Sequence, residues 1–448
     1  MHLALHRLAG ALALAGLMSP CAAQANPEVA ALRAEIEAMK RQYEARLAEL
    51  ETRLKKAEAA PQAAPAPAPD RGGAVASAGA FNPEVSLILQ GRYAHRDDRE
   101  ERGLTGFLLA GGHTHGTERG FSVDHSELVL SASVDPYWRG QATLAFVDQE
   151  VAIEEAWFQS LGLGAGLTLK GGRFYSALGY VNEQHPHAWD FADAPLMYQA
   201  LFGERLSHDG LQLKWLAPTE TFLEFGLEAA RGQNFPGGGD RGNNLGALTA
   251  FAKLGGDVGQ SHSWRLGLAR LTARPKEREA HWHDTNDDEV LTHFSGRSRA
   301  WVADFVWKWA PLGNPRVTNF KFQAEWFRRT ESGEMECEDG LCGAWAEDRF
   351  ASRQSGWYAQ AVYQFMPRWR LGARYDRLDA GRMDFGALPL ETKDYRPVRA
   401  SLMADWSPSE FSRLRLQYAR DKSMQGKPED QWTLQYVMSL GAHGAHKF

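Results

Sequence analysis

Long apolar runs are what this chain most lacks. Nowhere in its 448 residues is there anything near the roughly 18 consecutive apolar residues that a membrane-spanning helix needs, which excludes a helical span. Strong charge of one sign is missing as well. Fifty Lys and Arg stand against 56 Asp and Glu, a formal net charge of −6, which leaves no basic footprint for nucleic acid. Cysteine is scarce: Cys21, Cys337 and Cys342 allow one local bridge, not a disulfide scaffold. A mean hydropathy of −0.44 still permits membrane residence, because a barrel strand shows only alternate residues to lipid.

What the chain has instead is alternation. Trp432, Leu434, Tyr436, Met438 and Leu440 share one face of a strand, and Thr433, Gln435 and Ser439 the other. This aromatic-flanked stripe, followed by Phe448, resembles the closing strand of bacterial outer-membrane proteins. The other end supplies an address. Residues 1–25 combine His6 and Arg7, an apolar run over 8–18 and a small-x-small site at Ala23-Gln24-Ala25, which reads as a secretory signal peptide. Pro20 before Cys21 argues against lipidation. Over 26–58, Val29, Leu32, Ile36, Met39 and Tyr43, then Leu47, Leu50 and Leu54 in a shifted frame, form a coiled-coil seam with one stutter. A lone helix of that length is marginal in water, so the seam calls for partner helices from further copies of the chain, in the periplasm. Pro61, Pro65, Pro67, Pro69, Gly72 and Gly73 mark 59–80 as a linker.

Residues 81–448 repeat one design. Alternating stretches such as V-S-L-I-L-Q-G-R-Y from Val85, W-V-A-D-F-V-W-K-W from Trp301 and V-R-A-S-L-M-A-D-W from Val398 are joined by two kinds of connection. Tight joints fall at Asp135-Pro136, Ala217-Pro218, Met366-Pro367 and Ser407-Pro408. Long excursions lie near 95–120, 176–208, 274–297, 330–354 and 379–396. Short turns alternating with long loops is the asymmetry of an outer-membrane barrel. At about 23 residues per strand and connection, the expected fold is all-β: a transmembrane antiparallel β-barrel of about 16 strands, preceded by a short α-helical coiled coil. Trp309, Trp326, Trp357, Tyr363, Trp406 and Tyr418 fall where aromatic girdles would meet the bilayer surfaces.

A barrel of that size encloses an aqueous channel. On the C-terminal strands the inward register holds Arg368, Arg370, Arg374, Arg399, Arg413 and Arg415 against Asp376 and Asp405. Such a basic wall is expected to line the pore and favour anions, since guanidinium groups match phosphate and carboxylate. Asp304, Glu325 and Glu224 also look inward, and arginines paired with acids would be the plainer reading. The stretch 176–208, after the fifth strand, is too apolar for a solvated loop: it carries Trp189, Phe191, Leu196, Met197, Tyr198, Leu201 and Phe202. It is expected to fold back as a constriction, with Glu183, His185, His187, Asp190 and Asp193 near the passage. His113-x-His115, His185-x-His187 and His281-x-His283 are candidate zinc ligands, since imidazoles two apart project to one side of an extended chain. Cys337 and Cys342 are expected to form a local disulfide in an oxidising compartment.

Leader, coil, Ala/Pro linker and barrel together resemble the trimeric phosphate-selective porins. The blocks F-N-P-E-V-S-L-I-L-Q-G-R-Y-A (81–94), N-E-Q-H-P-H-A-W-D-F (182–191) and S-L-G-A-H-G-A-H-K-F (439–448) are similar to uncharacterised proteobacterial outer-membrane proteins sometimes labelled zinc-regulated receptors. The resemblance implies a homotrimer in outer-membrane lipid that passes small solutes. A TonB-dependent receptor would need a plug domain and about 22 strands, and this body is too short. The competing readings are zinc or other divalent-metal uptake, an enzyme, or a structural tether. Asp124-His125-Ser126 carries no enzyme reading, because consecutive strand residues alternate faces and cannot form a relay.

Overall fold

The computed structural model describes residues 83–99, 102–109, 119–123, 125–147, 150–239, 242–343 and 346–441. The leader, coil and linker expected over 1–80 lie outside them, as do His113, His115, Asp124 and Phe448.

Alternation becomes strand throughout. The strands are β1 (Glu84–His95), β2 (Gly120–Val123), β3 (Ser126–Ser133), β4 (Trp138–Val147), β5 (Glu150–Ser160) and β6 (Leu167–Tyr175). They continue as β7 (Ser207–Leu216), β8 (Phe222–Ala230), β9 (Ala247–Val258), β10 (His262–Ala273), β11 (Arg278–His283) and β12 (Glu289–Trp309). The last six are β13 (Asn319–Glu338), β14 (Ala346–Met366), β15 (Trp369–Asp384), β16 (Val398–Ser409), β17 (Ser412–Lys422) and β18 (Glu429–Gly441). Neighbours pair antiparallel, and β18 returns to β1 from Ser86↔Gly441 to His95↔Trp432. Closure removes every free sheet edge, which an apolar bilayer demands.

Two staves of the barrel are broken. β2 and β3 both pair with β1, and β10 and β11 both pair with β12. Among the described residues, eighteen strands less these two continuations give 16 staves, matching the strand number expected from spacing. His125, at a φ of 42°, sits at the first break.

Outward faces carry Leu371, Leu402, Leu416, Leu434 and Tyr436, all exposed. Trp369 stacks on Trp406 at 5.9 Å near the short turns, while Trp357 meets Tyr375 at 5.6 Å and Tyr418 meets Trp432 at 4.9 Å further along. Two aromatic levels flanking an apolar band are what a bilayer selects.

The sequence reading of long polar loops over 274–297 and 330–354 is corrected, while 379–396 is strand only up to Asp384 and loop beyond it. β12, β13 and β14 run for 21, 20 and 21 residues, against the roughly 9–11 that cross a bilayer. Their outer halves stand beyond it and fold over a core of their own, with Phe294, Met335, Phe350, Phe385 and Leu390. Burying each phenylalanine contributes about 2 kcal/mol. Cys337 and Cys342 are bonded at the edge of this core, Cα to Cα 5.8 Å.

Candidate functional site

After β6 the chain leaves the wall and crosses the lumen before returning at β7. Its apolar residues explain why. Leu178, Val181, Trp189, Leu196, Met197, Tyr198 and Leu201 are buried against Ala269, Leu271, Val302 and Phe327 of the inner wall. Pro195 precedes a seven-residue helix, α1 (Leu196–Phe202), and Gly203 ends it at a φ of 83°. Leu104, Phe107 and Leu109 from the first long loop join the same core.

Hydrogen bonds hold the two ends of this segment together. Asn182 Nδ2 donates to Ser176 O (2.8 Å) and Leu206 O (2.9 Å), and its Oδ1 accepts from Leu206 N (2.7 Å). Glu325 on β13 accepts from Tyr180 N (3.0 Å), Val181 N (3.1 Å), Tyr198 Oη (2.6 Å) and Tyr358 Oη (2.6 Å). Gly179 passes so close that a Cβ there would lie 2.5 Å from Glu325 Oε2, and its φ of +73° adds a second reason for glycine.

The arginine wall meets the far side of the segment. Asp193 is held by Arg374 (2.8 Å), Arg399 (2.9 Å) and Gln417 (2.8 Å). Asp190 pairs with Lys321 and with Arg370 (3.2 Å), which also binds Asp405. Arg415 donates to Trp189 O (2.7 Å) and Arg413 to His187 O. Arg92 of β1 donates to Ala192 O (3.2 Å), and Lys253 of β9 binds Glu183 (2.6 Å). The segment is therefore tied to strands right round the bore.

These contacts revise the expected basic wall. Arg374, Arg399 and Arg415 are 3%, 3% and 1% exposed, so they lie beneath the segment, engaged by its carboxylates and carbonyls, instead of facing open channel. Arg368 is not in the lumen at all. It occupies the β14–β15 turn at a φ of 72° and donates to Pro408 O (2.7 Å). Period-2 counting through Arg368 fails because the strand has already ended there.

A second constellation forms where the segment meets β3 and β5. A register shift at Thr143/Leu144 leaves Glu154 unpaired beside Glu155, and both side chains meet the segment inside the lumen, as expected at a β-bulge. His185 lies between three carboxylates: Nδ1 is 2.9 Å from Glu127 and 3.4 Å from Glu154, and Nε2 is 3.0 Å from Glu155. His187 Nδ1 is 3.2 Å from Glu127. Arg205 binds Glu154 (2.7 Å) and reaches His125 (2.6 Å). Burial opposes charge on both imidazoles. At His187 it prevails and lowers the pKa; at His185 attraction and hydrogen bonding to the three glutamates outweigh burial and hold the pKa well above the usual value.

Sequence reasoning found His185 and His187 but missed Glu127, Glu154, Glu155, His125 and Arg205. The doublet Glu154-Glu155, which breaks strand alternation, was the legible signal. His281 and His283 sit apart on β11, with His281 paired to Glu289 (2.9 Å). Among the described residues they join no cluster of three ligands. Ser126 Oγ accepts from Gln90 N (3.0 Å), a structural contact.

A closed 16-stave antiparallel barrel with outward apolar band, aromatic levels and an in-folded segment defines an outer-membrane β-barrel of porin architecture. The chain belongs to the same family as an uncharacterized protein of Aquifex aeolicus, to which it is 30% identical over 398 residues, 82% of this chain and 80% of that one. No protein-family model matches it. Among solved structures it is similar in fold to a loop-deletion form of OmpT, an outer membrane protein of Vibrio cholerae. That match has a TM-score of 0.50 at 10% identity, over 80% of this chain and 99% of that one. An anion-selective porin from Comamonas acidovorans aligns with a TM-score of 0.49 at 10% identity, over 80% and 99% of the two chains.

Proposed function

We propose that this protein is an outer-membrane porin that passes small hydrophilic solutes, anions preferentially, through a lumen narrowed by the segment between β6 and β7. The observation that carries the anion preference is a set of cations near the short-turn ends of the strands. Lys308 and Lys321 sit directly opposite each other on β12 and β13. Arg265 lies on the next strand, and Arg139, Lys214 and Arg370 occupy the same end of β4, β7 and β15, each partly exposed. Like charges placed opposite one another cost stability. Glu224, Asp190, Asp405, Asp304, Glu183 and Glu84 pair with members of this set, so the anion preference rests on the partly exposed Lys308 facing Lys321 across the strand pair. A basic ring in a low-dielectric wall raises the local anion concentration.

Replacing Lys308 and Lys321 together by Gln should move the reversal potential in a salt gradient toward cations, more at low salt than at high, because screening shortens the reach of each charge. A wild-type channel that prefers cations, or a double variant with unaltered reversal potential, would refute the anion reading.

The assembly proposed is a homotrimer, supported by the seam over 26–58 and by the resemblance to trimeric porins. Deleting 26–58 should lower the temperature at which the oligomer dissociates on a semi-native gel while the barrel still folds. Dissociation at the wild-type temperature would remove the coil from the assembly.

A further inference from the structure

We propose that Glu127, His185 and His187, with Glu154 as fourth ligand, form a binding site for a borderline-soft divalent cation of the zinc type inside the lumen. The site does not depend on the porin reading.

Three atoms carry the proposal. His185 Nδ1, Glu127 Oε2 and Glu154 Oε2 are all buried, and none makes an aligned hydrogen bond. Yet they converge, with Nδ1 2.9 Å from the first oxygen and 3.4 Å from the second. Glu127 is fully buried, at 0% exposure. Lone pairs gathered at one point without aligned donors are costly unless a cation occupies the point. One ligand atom each from Glu127, His185 and His187 lies within 4.8 Å of the others. Tetrahedral zinc, with bonds near 2.0–2.1 Å, sets its ligands about 3.4 Å apart, so small side-chain rotations would close the site.

The surroundings suit a metal. His185 Nε2 donates to Glu155 Oε2 at 3.0 Å, so loss of the Nδ1 proton on metal binding would present that lone pair to the site. A carboxylate behind a ligating imidazole is the usual supporting arrangement. Arg205 takes the other oxygen of Glu154, leaving Oε2 directed at His185. Two imidazoles with two carboxylates select zinc or copper over magnesium or calcium, which prefer all-oxygen shells.

Position gives the ion a consequence. Glu127 is on the wall strand β3, Glu154 on β5, and both histidines on the crossing segment, so a bound ion would staple segment to wall.

The test is zinc binding to full-length, detergent-purified, chelator-stripped protein by equilibrium dialysis, with magnesium as the control ion. Wild type should bind one zinc more per chain than the His185→Gln/His187→Gln variant, and Glu127→Gln should weaken that ion at least ten-fold. His281→Gln/His283→Gln should keep wild-type stoichiometry. Cobalt should give the visible absorption of a tetrahedral site in wild type and lose it in Glu127→Gln, whose near-identical shape guards against misfolding. Equal zinc stoichiometry and affinity in wild type and both site variants would overturn the proposal and leave a hydrogen-bonded His–Glu network. Conductance without zinc is recorded separately: a chain that binds zinc but carries no current retains the site and loses the channel, and one that conducts without binding zinc loses the site.

Discussion

Excising residues 183–201 and bridging the gap with a short Gly/Ser linker should raise single-channel conductance several-fold. The excision is geometrically mild, because Asn182 already hydrogen-bonds to Leu206 on both its amide atoms. Ladder pairing between staves does not involve the segment, so the barrel should persist. What is removed is the helix α1 and the strip carrying Asp190 and Asp193, which tie β13, β15 and β16 together across the bore. Widening a constriction raises conductance more than any single charge change, since the narrowest section sets resistance. Conductance equal to wild type would move the constriction to the outer core around Phe294, Phe350 and Phe385.

The second large effect is expected from Asp193→Ala. This carboxylate binds Arg374, Arg399 and Gln417 at once. Deleting one side of a buried charge cluster costs about 3–5 kcal/mol, mostly through the cations left behind. Arg374 retains Asp376 at 3.0 Å, whereas Arg399 keeps a carboxylate only at 3.8 Å, on Asp421, so the larger share of the loss falls on Arg399. The segment should then leave the wall transiently, giving brief openings to a larger conductance level and a lower unfolding midpoint in denaturant. Asp193→Asn, which can still accept from Gln417, should show less of both. Single-channel traces of Asp193→Ala identical to wild type would show that the apolar contacts of Leu196, Tyr198 and Leu201 hold the segment unaided.

The barrel was legible because its cause is local. Lipid on one face and polar lumen on the other impose period 2 on each strand separately, so Leu402, Leu416 and Leu434 declare their face without reference to partners. The crossing segment was legible for a related reason: Trp189, Leu196 and Leu201 form too apolar a stretch to remain in water. Strand length was not. Beyond the bilayer, β12–β15 alternate like membrane strands but bury Phe294, Phe350 and Phe385 against one another, a choice made only when the hairpins meet.

The sequence by itself determined the wall: the strand number, the outward stripe and the inward set that holds Arg370, Arg374, Arg399, Arg413 and Arg415. Only the tertiary structure decided what those arginines do. Charge on a strand is visible in one dimension, but its partner is fixed by closure of the barrel and the path of the segment. That path carries Asp193 to Arg374 and Arg399, 181 and 206 residues away in sequence. It likewise brings His185 and His187 to Glu127 and Glu154, while Lys308 and Lys321 become neighbours through strand register alone. Periodicity specifies a face; register and crossing specify the opposing residue, and the chemistry of the lumen depends on the second.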